Sequence, residues 1–328
     1  MRSEAPIREV VLSDGARRYG VPITIGAIPI EAGLDSGSAG LRVVPGTLQP
    51  SDAKAGGRAG AISYGAGAKL DGPIGQAIVS VGGVSGRIGL QLVSKVGCVP
   101  EQPRCAAGRI PVSAYGIEGD GLPGEGFKAI LGINTAPSDA PSVLPALGVR
   151  RWIVELPRPG ESSPGRLVLN PTDDEVAGYT RLSRSSRLMI ARGGLHDAVE
   201  GCLENVQTRQ RLCGAVLMDT GAPGVTVEAD GTGPLWKPDT PALLALSREG
   251  KNAAAARFLI DRRSQASRLT FRAGHGSHGE GGDPTVIYAG LLPYFVWSVL
   301  YEPGRDVIAV KARAPLPDGP TTIPVPKS

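Results

Sequence analysis

An acid, a hydroxyl residue and a glycine occur in succession twice in the chain, as Asp35-Ser36-Gly37 and as Asp219-Thr220-Gly221. Alone, either triplet is typical of a turn, because Asp and Ser hydrogen-bond their own backbone and Gly tolerates positive φ. Two carboxylates held close together can do more, since one can act as a general base and the other as a general acid. Glycine N–H groups can donate to the carboxylates at close range. The triplets therefore mark two acids that could work as a pair.

The two acids belong to an internal repeat. Aligning Asp35 with Asp219, which are 184 residues apart, superimposes AGLDSGSAGLRV on VLMDTGAPGVTV. Each copy is followed by a second apolar element that ends in glycine, Ile130-Leu131-Gly132 in the first half and Tyr288-Ala289-Gly290 in the second. A repeat of this length indicates two duplicated lobes, because the units of a solenoid are much shorter.

Length and composition favour a mostly β protein with two lobes. The 328 residues exceed what one core usually supports. The 47 Gly and 29 Pro residues, with 41% hydrophobic residues, point to many short strands and turns. The net charge of +4 is scattered, so no nucleic-acid partner is predicted. No apolar run is long enough to predict a membrane span, and the start lacks a signal-peptide core, which indicates a cytoplasmic protein or a mature form.

The four cysteines bear on that choice of compartment. They fall in two local pairs, Cys98 with Cys105 and Cys202 with Cys213, which favour two short-range disulfides. Four buried free thiols are the rival interpretation, and a zinc site is disfavoured because the chain has no CxxC and only three His residues. Disulfides predict an oxidising compartment, so the protein is expected to be periplasmic or secreted.

Alternating apolar residues predict the strands that carry the acids. Residues 17–35 predict a β-hairpin that leads into Asp35, and residues 61–83 predict a second hairpin with Tyr64 at its tip. Further strands are predicted within residues 126–134, 151–171, 181–194 and 211–227. The segment DTPALLALSREG, residues 239–250, predicts a short amphipathic helix with Thr240 as N-cap, Pro241 at its first position and Gly250 as its stop.

Other patterns carry weaker signals. HGSHGEGGD, residues 275–283, contains possible metal ligands in His275, His278, Glu280 and Asp283, but its Gly and Ser content favours a flexible surface loop. His196 beside Asp197 could form a catalytic pair, yet the G-x-S-x-G elbow of a serine hydrolase is missing. The glycines around Ala66 lack the third glycine and the helix of a dinucleotide site.

A few single residues receive structural interpretations. Asp71 and Asp120 stand beside glycines and predict turns. The aromatic residues near the end of the chain predict core and cleft-wall positions: Tyr288, Tyr294, Phe295 and Trp297.

These motifs, taken together, resemble the pepsin-like aspartic proteases, including the bacterial-type bilobal endopeptidases. The resemblance covers residues 20 to 313 and is carried by ITIGAIPIEAGLDSGSAGLRVVP, ISYGAGAKLDGPIGQAIVSVGG, AILGIN, GRLVLNP, CGAVLMDTGA and IYAGLLPYFVWSVLYEPGRDVIAVKAR. It implies an all-β, bilobal, pepsin-like double β-barrel with a cleft between two duplicated lobes and a few short helices. The lobes would be residues 1–172 and 173–313, followed by a Pro-rich tail at 314–328 that is extended or disordered.

The resemblance also implies roles, residue by residue. Asp35 and Asp219 would be the dyad that holds the attacking water. Ser36 and Thr220 would brace the two loops against each other, and Ser38 would hydrogen-bond the outer oxygen of the first carboxylate. Gly37 and Gly221 would let the backbone approach the carboxylates and donate N–H groups to them. Tyr64, Gly65 and Gly67 would form a flap that closes over the bound peptide.

Two positions differ from the family pattern. Ala222 stands where a further hydroxyl residue is usual, and Arg42 stands where a Trp usually hydrogen-bonds the flap Tyr. Without the donor at position 222 the rate optimum is expected nearer about pH 5 than 2.

The predicted function is that of a monomeric aspartic endopeptidase. It would cleave polypeptides bound in an extended conformation, without metal or cofactor. The alternative is a catalytically weak or inactive pepsin-fold protein that binds a peptide, a polysaccharide or a partner protein.

Overall fold

The protein is mostly β-sheet. A computed structural model describes residues 1–185, 197–229, 236–272, 285–315 and the backbone of 321–323. Strands account for 51% of the residues and helices for 8%. The predicted all-β class is confirmed. Within the described ranges, no helix is long and apolar enough to cross a membrane.

The elements of the described residues are numbered here in chain order. The strands are β1 (Ser3–Val11), β2 (Arg17–Ile25), β3 (Ile28–Asp35), β4 (Ala39–Val43), β5 (Ala53–Ser63), β6 (Ala68–Val81), β7 (Val84–Leu92), β8 (Lys95–Cys98), β9 (Ala129–Ile133), β10 (Trp152–Glu155), β11 (Gly165–Leu169), β12 (Thr180–Arg181), β13 (Ala198–Asn205), β14 (Arg211–Met218), β15 (Val225–Glu228), β16 (Pro241–Arg248), β17 (Lys251–Leu259), β18 (Leu269–Arg272), β19 (Val286–Gly290), β20 (Trp297–Glu302), β21 (Val307–Ala312) and β22 (Thr321–Ile323). The short α-helices are α1 (Val143–Ala146), α2 (Asp173–Val176) and α3 (Leu292–Val296).

The chain folds into two compact units. Unit 1 comprises Met1–Arg150 and Pro159–Asn170, and unit 2 comprises Arg151–Arg158 and Pro171–Ser328. Unit 1 ends at Asn170, two residues before the predicted end of the first lobe. Strand β10 lies within Arg151–Arg158 and therefore belongs to unit 2. The two-lobed organisation agrees with the prediction, whereas the barrel form and the cleft stay predictions.

In unit 1 the strands are hydrogen-bonded in the order β11-β1-β2-β3-β9-β4-β7-β6-β5, with β8 paired to β6. β2 and β3 form the first predicted hairpin, joined by a two-residue turn at Gly26 and Ala27. Val21, Ile23 and Ile25 of β2 are all buried, as their alternation predicts. β5 and β6 form the second predicted hairpin, which closes at residues 64–67.

Unit 2 contains two series of paired strands. One runs β18-β15-β19-β14-β13-β16-β17-β22, and the other runs β10-β20-β21-β12. β22 lies within the predicted Pro-rich tail and pairs antiparallel with β17, so this piece of the tail is extended.

The predicted helix over residues 239–250 is wrong, because this segment forms strand β16 and the turn into β17. β16 pairs along one edge with β13 and along the other with β17, and these ladders outweigh the helical preference of its Leu and Ala residues. Glu249 and Gly250 have φ of 52° and 75°, which is a two-residue type I′ hairpin turn. The glycine interpreted as a helix stop therefore closes a hairpin.

The sequence repeat reappears as a repeat of strand pairing inside each unit. In unit 1, β9 lies between β3, to which it is parallel, and β4, to which it is antiparallel. In unit 2, β19 lies in the same way between β14, parallel, and β15, antiparallel. A further parallel strand follows each time, β7 beside β4 and β18 beside β15. The same topology therefore encloses each Asp-hydroxyl-Gly loop.

The single-residue predictions have mixed outcomes. Asp120 lies in a turn with φ of 52°, as predicted. Asp71 does not lie in a turn, because strand β6 continues through this residue and pairs it with Ala61 of β5 and Lys95 of β8. Tyr294, Phe295 and Trp297 are buried, and Tyr288 is half-buried. His196, the segment 275–283 and most of the basic run 181–194 lie outside the described residues.

Both predicted disulfides are present. Cys98 is bonded to Cys105 in unit 1, and Cys202 is bonded to Cys213 across the β13–β14 ladder. No described cysteine is free. This rules out the thiol and zinc alternatives for these four residues.

Removing the Cys202–Cys213 bridge is expected to destabilise unit 2 by about 3 kcal/mol, because the bridge closes a loop in the unfolded chain. A Cys202→Ala/Cys213→Ala double variant would be followed in urea by tryptophan fluorescence, which reports unit 2 since all three Trp residues lie there. The matched control is Cys98→Ala/Cys105→Ala, whose tryptophan transition should stay near that of the native protein. An unchanged transition in the first variant would contradict the prediction.

Candidate active site

The first candidate loop holds a buried carboxylate at the end of β3. Asp35 is only 4% exposed. Its Oδ1 accepts hydrogen bonds from the N–H of Gly37 at 2.8 Å and of Ser38 at 3.0 Å. Its Oδ2 accepts from the Ser38 hydroxyl at 2.5 Å. Both oxygens are therefore held by donors of the same loop, the Gly37 and Ser38 N–H groups and the Ser38 hydroxyl.

Asn134 holds the first loop from the side. The residue is 2% exposed and follows β9 directly. Its backbone N–H donates to the Ser38 carbonyl at 3.0 Å, and its side-chain Nδ2 donates to the Ser36 carbonyl at 3.1 Å. Sequence analysis missed this residue. The available signal was a polar side chain directly after the buried run AILGI, because a buried amide needs partners.

The second candidate loop follows β14 and has a related geometry. Oδ1 of Asp219 accepts from the N–H of Gly221 at 2.9 Å, the counterpart of the bond from Gly37 in the first loop. Thr220 is 3% exposed and its counterpart Ser36 is 1% exposed. Position 222 is alanine, so this loop has no hydroxyl where Ser38 stands in the first.

Two glycines show how closely the loops correspond. A Cβ placed on Gly132 would lie 2.7 Å from the carbonyl oxygens of both Ser38 and Gly40. A Cβ on Gly290 would lie 2.8 Å and 2.4 Å from the carbonyl oxygens of Ala222 and Gly224, the equivalent loop positions. Each loop thus packs its backbone against a glycine of the central strand, β9 or β19. The predicted pairing of each triplet with a later apolar-apolar-Gly element is explained by this contact.

Buried tyrosines support the second loop from within unit 2. The Tyr294 hydroxyl donates to the carbonyl of Met218, the residue before Asp219, at 3.3 Å. It also hydrogen-bonds the Tyr301 hydroxyl at 2.6 Å, and the Tyr301 ring stacks on Trp152. Sequence analysis treated Tyr294 only as a core and cleft-wall aromatic. Its hydroxyl role depends on the fold that brings α3 behind β14.

Tyr64 occupies the turn of the β5–β6 hairpin. The turn is closed by hydrogen bonds from the Tyr64 N–H to the Ala68 carbonyl and from the Gly67 N–H to the Tyr64 carbonyl, at 2.9 and 2.8 Å. Beneath it lies the Cys98–Cys105 loop: the Val99 N–H donates to the Gly67 carbonyl, and the Tyr64 ring packs on the apolar cluster that contains Cys105.

Arg42 and Tyr64 place two buried polar atoms close to the first carboxylate. Burial raises the pKa of the Tyr64 hydroxyl, the cation of Arg42 opposes this rise, and Asp35 and Glu118 add to it. Tyr64 therefore stays protonated, as a neutral donor, throughout the range in which carboxylates titrate. Neither Nε of Arg42 nor the Tyr64 hydroxyl has a hydrogen-bond partner among the described residues.

The predicted site residues thus fall into two sets. Unit 1 brings together Asp35, Ser36, Gly37, Ser38 and Tyr64, with Gly65 and Gly67 in the same turn as Tyr64. Unit 2 holds Asp219, Thr220 and Gly221 in the corresponding loop. A meeting of the two carboxylates stays a prediction.

Sequence comparison adds no relative to these observations. No protein-family model matches the chain, and no curated protein matches it. Inferences about function therefore rest on the two loops and on the side chains that hold them.

Proposed function

We propose that the protein is an aspartic endopeptidase of the pepsin-like kind. The observation that supports this is the repeated loop: Asp35 and Asp219 follow equivalent strands, accept the same hydrogen bond from the glycine two residues on, and pack against equivalent glycines. A turn residue has no physical reason to recur with its whole surroundings. A site made of two half-sites does, because each half must present one carboxylate.

The proposed chemistry needs one proton shared by two carboxylates. The ionised carboxylate takes a proton from the water molecule while the water oxygen attacks the scissile carbonyl carbon. The protonated carboxyl gives its proton to the carbonyl oxygen. When the tetrahedral intermediate collapses, the protonated carboxyl gives its proton to the amide nitrogen, the ionised carboxylate takes the proton of one gem-diol hydroxyl, and the C–N bond breaks. The pair therefore ends with the single proton with which it started.

The surrounding residues have clear parts in this mechanism. Ser38 and the glycine N–H groups hold the carboxylates in place, so that little reorganisation is needed during the reaction. Tyr64 is carried by a hairpin tip and would cover the bound peptide, excluding water and fixing its orientation. The substrate would be an extended polypeptide, and the two disulfides favour a secreted or periplasmic setting.

Cleavage of an unfolded, carboxymethylated protein between about pH 3 and 7 tests the proposal. We expect internal cuts that a statine-type inhibitor abolishes and that a metal chelator and a serine-directed reagent leave unaffected. Absence of cutting across this range, or cutting that the statine-type compound does not reduce, would contradict the proposal.

A binding protein that has lost catalysis is the second candidate, and it is favoured by one observation. Arg42 places a buried cation beside the first loop, where the family has a neutral donor. In that case the statine-type compound would still bind, while peptides would stay intact. Calorimetry of binding together with the cleavage assay separates the two candidates.

The missing hydroxyl at position 222 predicts a change in pH dependence. An Ala222→Thr variant gains a donor that favours the ionised carboxylate, so the acidic limb of the rate profile should move about 0.5–1 pH unit lower. The matched control is Ala222→Val, which has the shape of Thr without the hydroxyl. Equal profiles for the two variants would show that the hydroxyl has no such effect.

A further inference from the structure

Arg42 is a buried cation next to the first loop. It is 1% exposed, and its guanidinium donates to two neutral acceptors, the Gly40 carbonyl and the Ser138 hydroxyl, both at 3.2 Å. No described carboxylate forms an ion pair with it. Arg18, the other buried arginine of unit 1, does pair with Asp120 and also donates to two carbonyls. A buried charge normally needs such a partner, because desolvation is otherwise costly.

The strand register places Arg42 on the same sheet face as the first catalytic candidate. Arg42 is paired with Ile130 of β9, and Ile130 is paired with Gly33 of β3. Asp35 is two residues beyond Gly33, and side chains two residues apart on a strand share a face. Val44, two residues beyond Arg42, and Ile130 belong to the apolar cluster on which the Tyr64 ring packs. Arg42, Asp35 and Tyr64 therefore lie on the same face of the sheet.

Two hydrogen-bond donors of this group are unused. Nε of Arg42 and the Tyr64 hydroxyl are buried without a partner in the described residues. Both oxygens of Asp35 already accept hydrogen bonds from three donors of its own loop. A cation plus two free donors suits a second carboxylate, which would accept one hydrogen bond on each oxygen.

We propose that Arg42 and Tyr64 form a subsite for an acidic substrate side chain next to the scissile bond. This inference rests on the proposed endopeptidase function and specifies its substrate class. Both donors are buried beneath the Tyr64 turn, so a Glu or Asp side chain reaches them only when this turn lifts, and it is enclosed when the turn returns. Gly65 and Ala66 put the tip of the turn at the surface. A site with buried donors discriminates strongly against a substrate that leaves the donors unpaired or the charge unbalanced.

Paired peptides test the subsite directly. Each pair is identical except for Glu or Gln at one position within three residues of the scissile bond, and cleavage is measured near pH 5.5, where Glu is ionised. We expect kcat/KM to favour Glu over Gln by about tenfold or more at one position. A ratio within about twofold at every position in the native protein would overturn the proposal without the use of any variant.

Variants assign the preference to Arg42. Arg42→Met is expected to bring the Glu/Gln ratio to about 1, and Arg42→Lys to retain part of it, because lysine keeps the charge and loses the fork of donors. Arg87→Met is the matched control, since Arg87 is an exposed arginine of β7 in the same unit, and its ratio should equal that of the native protein. If Arg42→Met instead shifts the pH profile equally for both peptides at an unchanged ratio, Arg42 acts on the dyad and the subsite is refuted.

Failure of the proposed function would be recognised separately. If neither peptide of any pair is cleaved, the endopeptidase assignment fails. The subsite is then tested by binding, with statine-type peptides that carry Glu or Gln at the same position. An affinity ratio of about tenfold that Arg42→Met removes supports the subsite, and equal affinities overturn it.

Discussion

Replacing Asp35 with Asn is expected to lower kcat/KM for peptide cleavage by at least about 10³-fold, and Asp219→Asn to do the same. An amide neither accepts the proton of the attacking water nor supplies one to the substrate. The change is nearly isosteric, and Oδ1 of the amide can still accept from the N–H groups of Gly37 and Ser38. The fold should therefore persist, which far-ultraviolet circular dichroism checks while the cleavage assay records the loss.

Asp14 supplies the matched control for this prediction. Its Oδ1 accepts a hydrogen bond from the N–H of Ala16, two residues on, at 2.9 Å, which is the same local turn as at Asp35. Asp14 is exposed, so it represents an acid that only forms a turn. Asp14→Asn should leave kcat/KM within about twofold of the native value. Retention of full activity in either Asp35→Asn or Asp219→Asn would show that the carboxylate is not catalytic.

Adding a methyl group to the central glycines should destabilise the unit that contains each one. In Gly290→Ala the new Cβ meets the Gly224 carbonyl at 2.4 Å, and φ at this position is 58°, which L side chains rarely adopt. We expect a loss of at least about 3 kcal/mol, because backbone atoms on both sides must move. The loss is measured from the urea unfolding of unit 2, followed by tryptophan fluorescence.

The equivalent change in unit 1, Gly132→Ala, should cost about 2–4 kcal/mol and also displace the Ser38 carbonyl. Since unit 1 has no Trp, the loss is measured by hydrogen exchange of β9 and its neighbours. Gly57→Ala on β5 is the control, because a Cβ there meets nothing within 4 Å and φ is not positive. Similar stabilities for Gly132→Ala and Gly57→Ala would mean that the close packing at Gly132 is unimportant.

Much of the fold could be predicted from local pattern. The alternation of Val21, Ile23 and Ile25 identifies a strand, since period-2 burial needs no knowledge of the partner strand. The repeat around Asp35 and Asp219 was visible because the loop geometry depends on consecutive residues. Short sequence separation also made both disulfide pairings evident.

The remaining features depend on distant contacts. The segment over β16 has helical residues and helix-like ends, but strands β13 and β17 on its two edges decide its structure. Asn134 contacts the first loop from 96 or more residues away, and Tyr294 reaches Met218 from 76 residues away. No local pattern encodes such partners, so these supports of the site became visible only in the folded chain.

The disulfide beneath the Tyr64 turn makes the support of this turn depend on oxidation. Gly67 of the turn accepts a hydrogen bond from Val99 inside the Cys98–Cys105 loop, so the turn rests on a covalent bond that forms only under oxidising conditions. A newly made chain in a reducing environment would carry both acids but would lack this support. Under the proposed function, peptide cleavage would therefore begin only after oxidation.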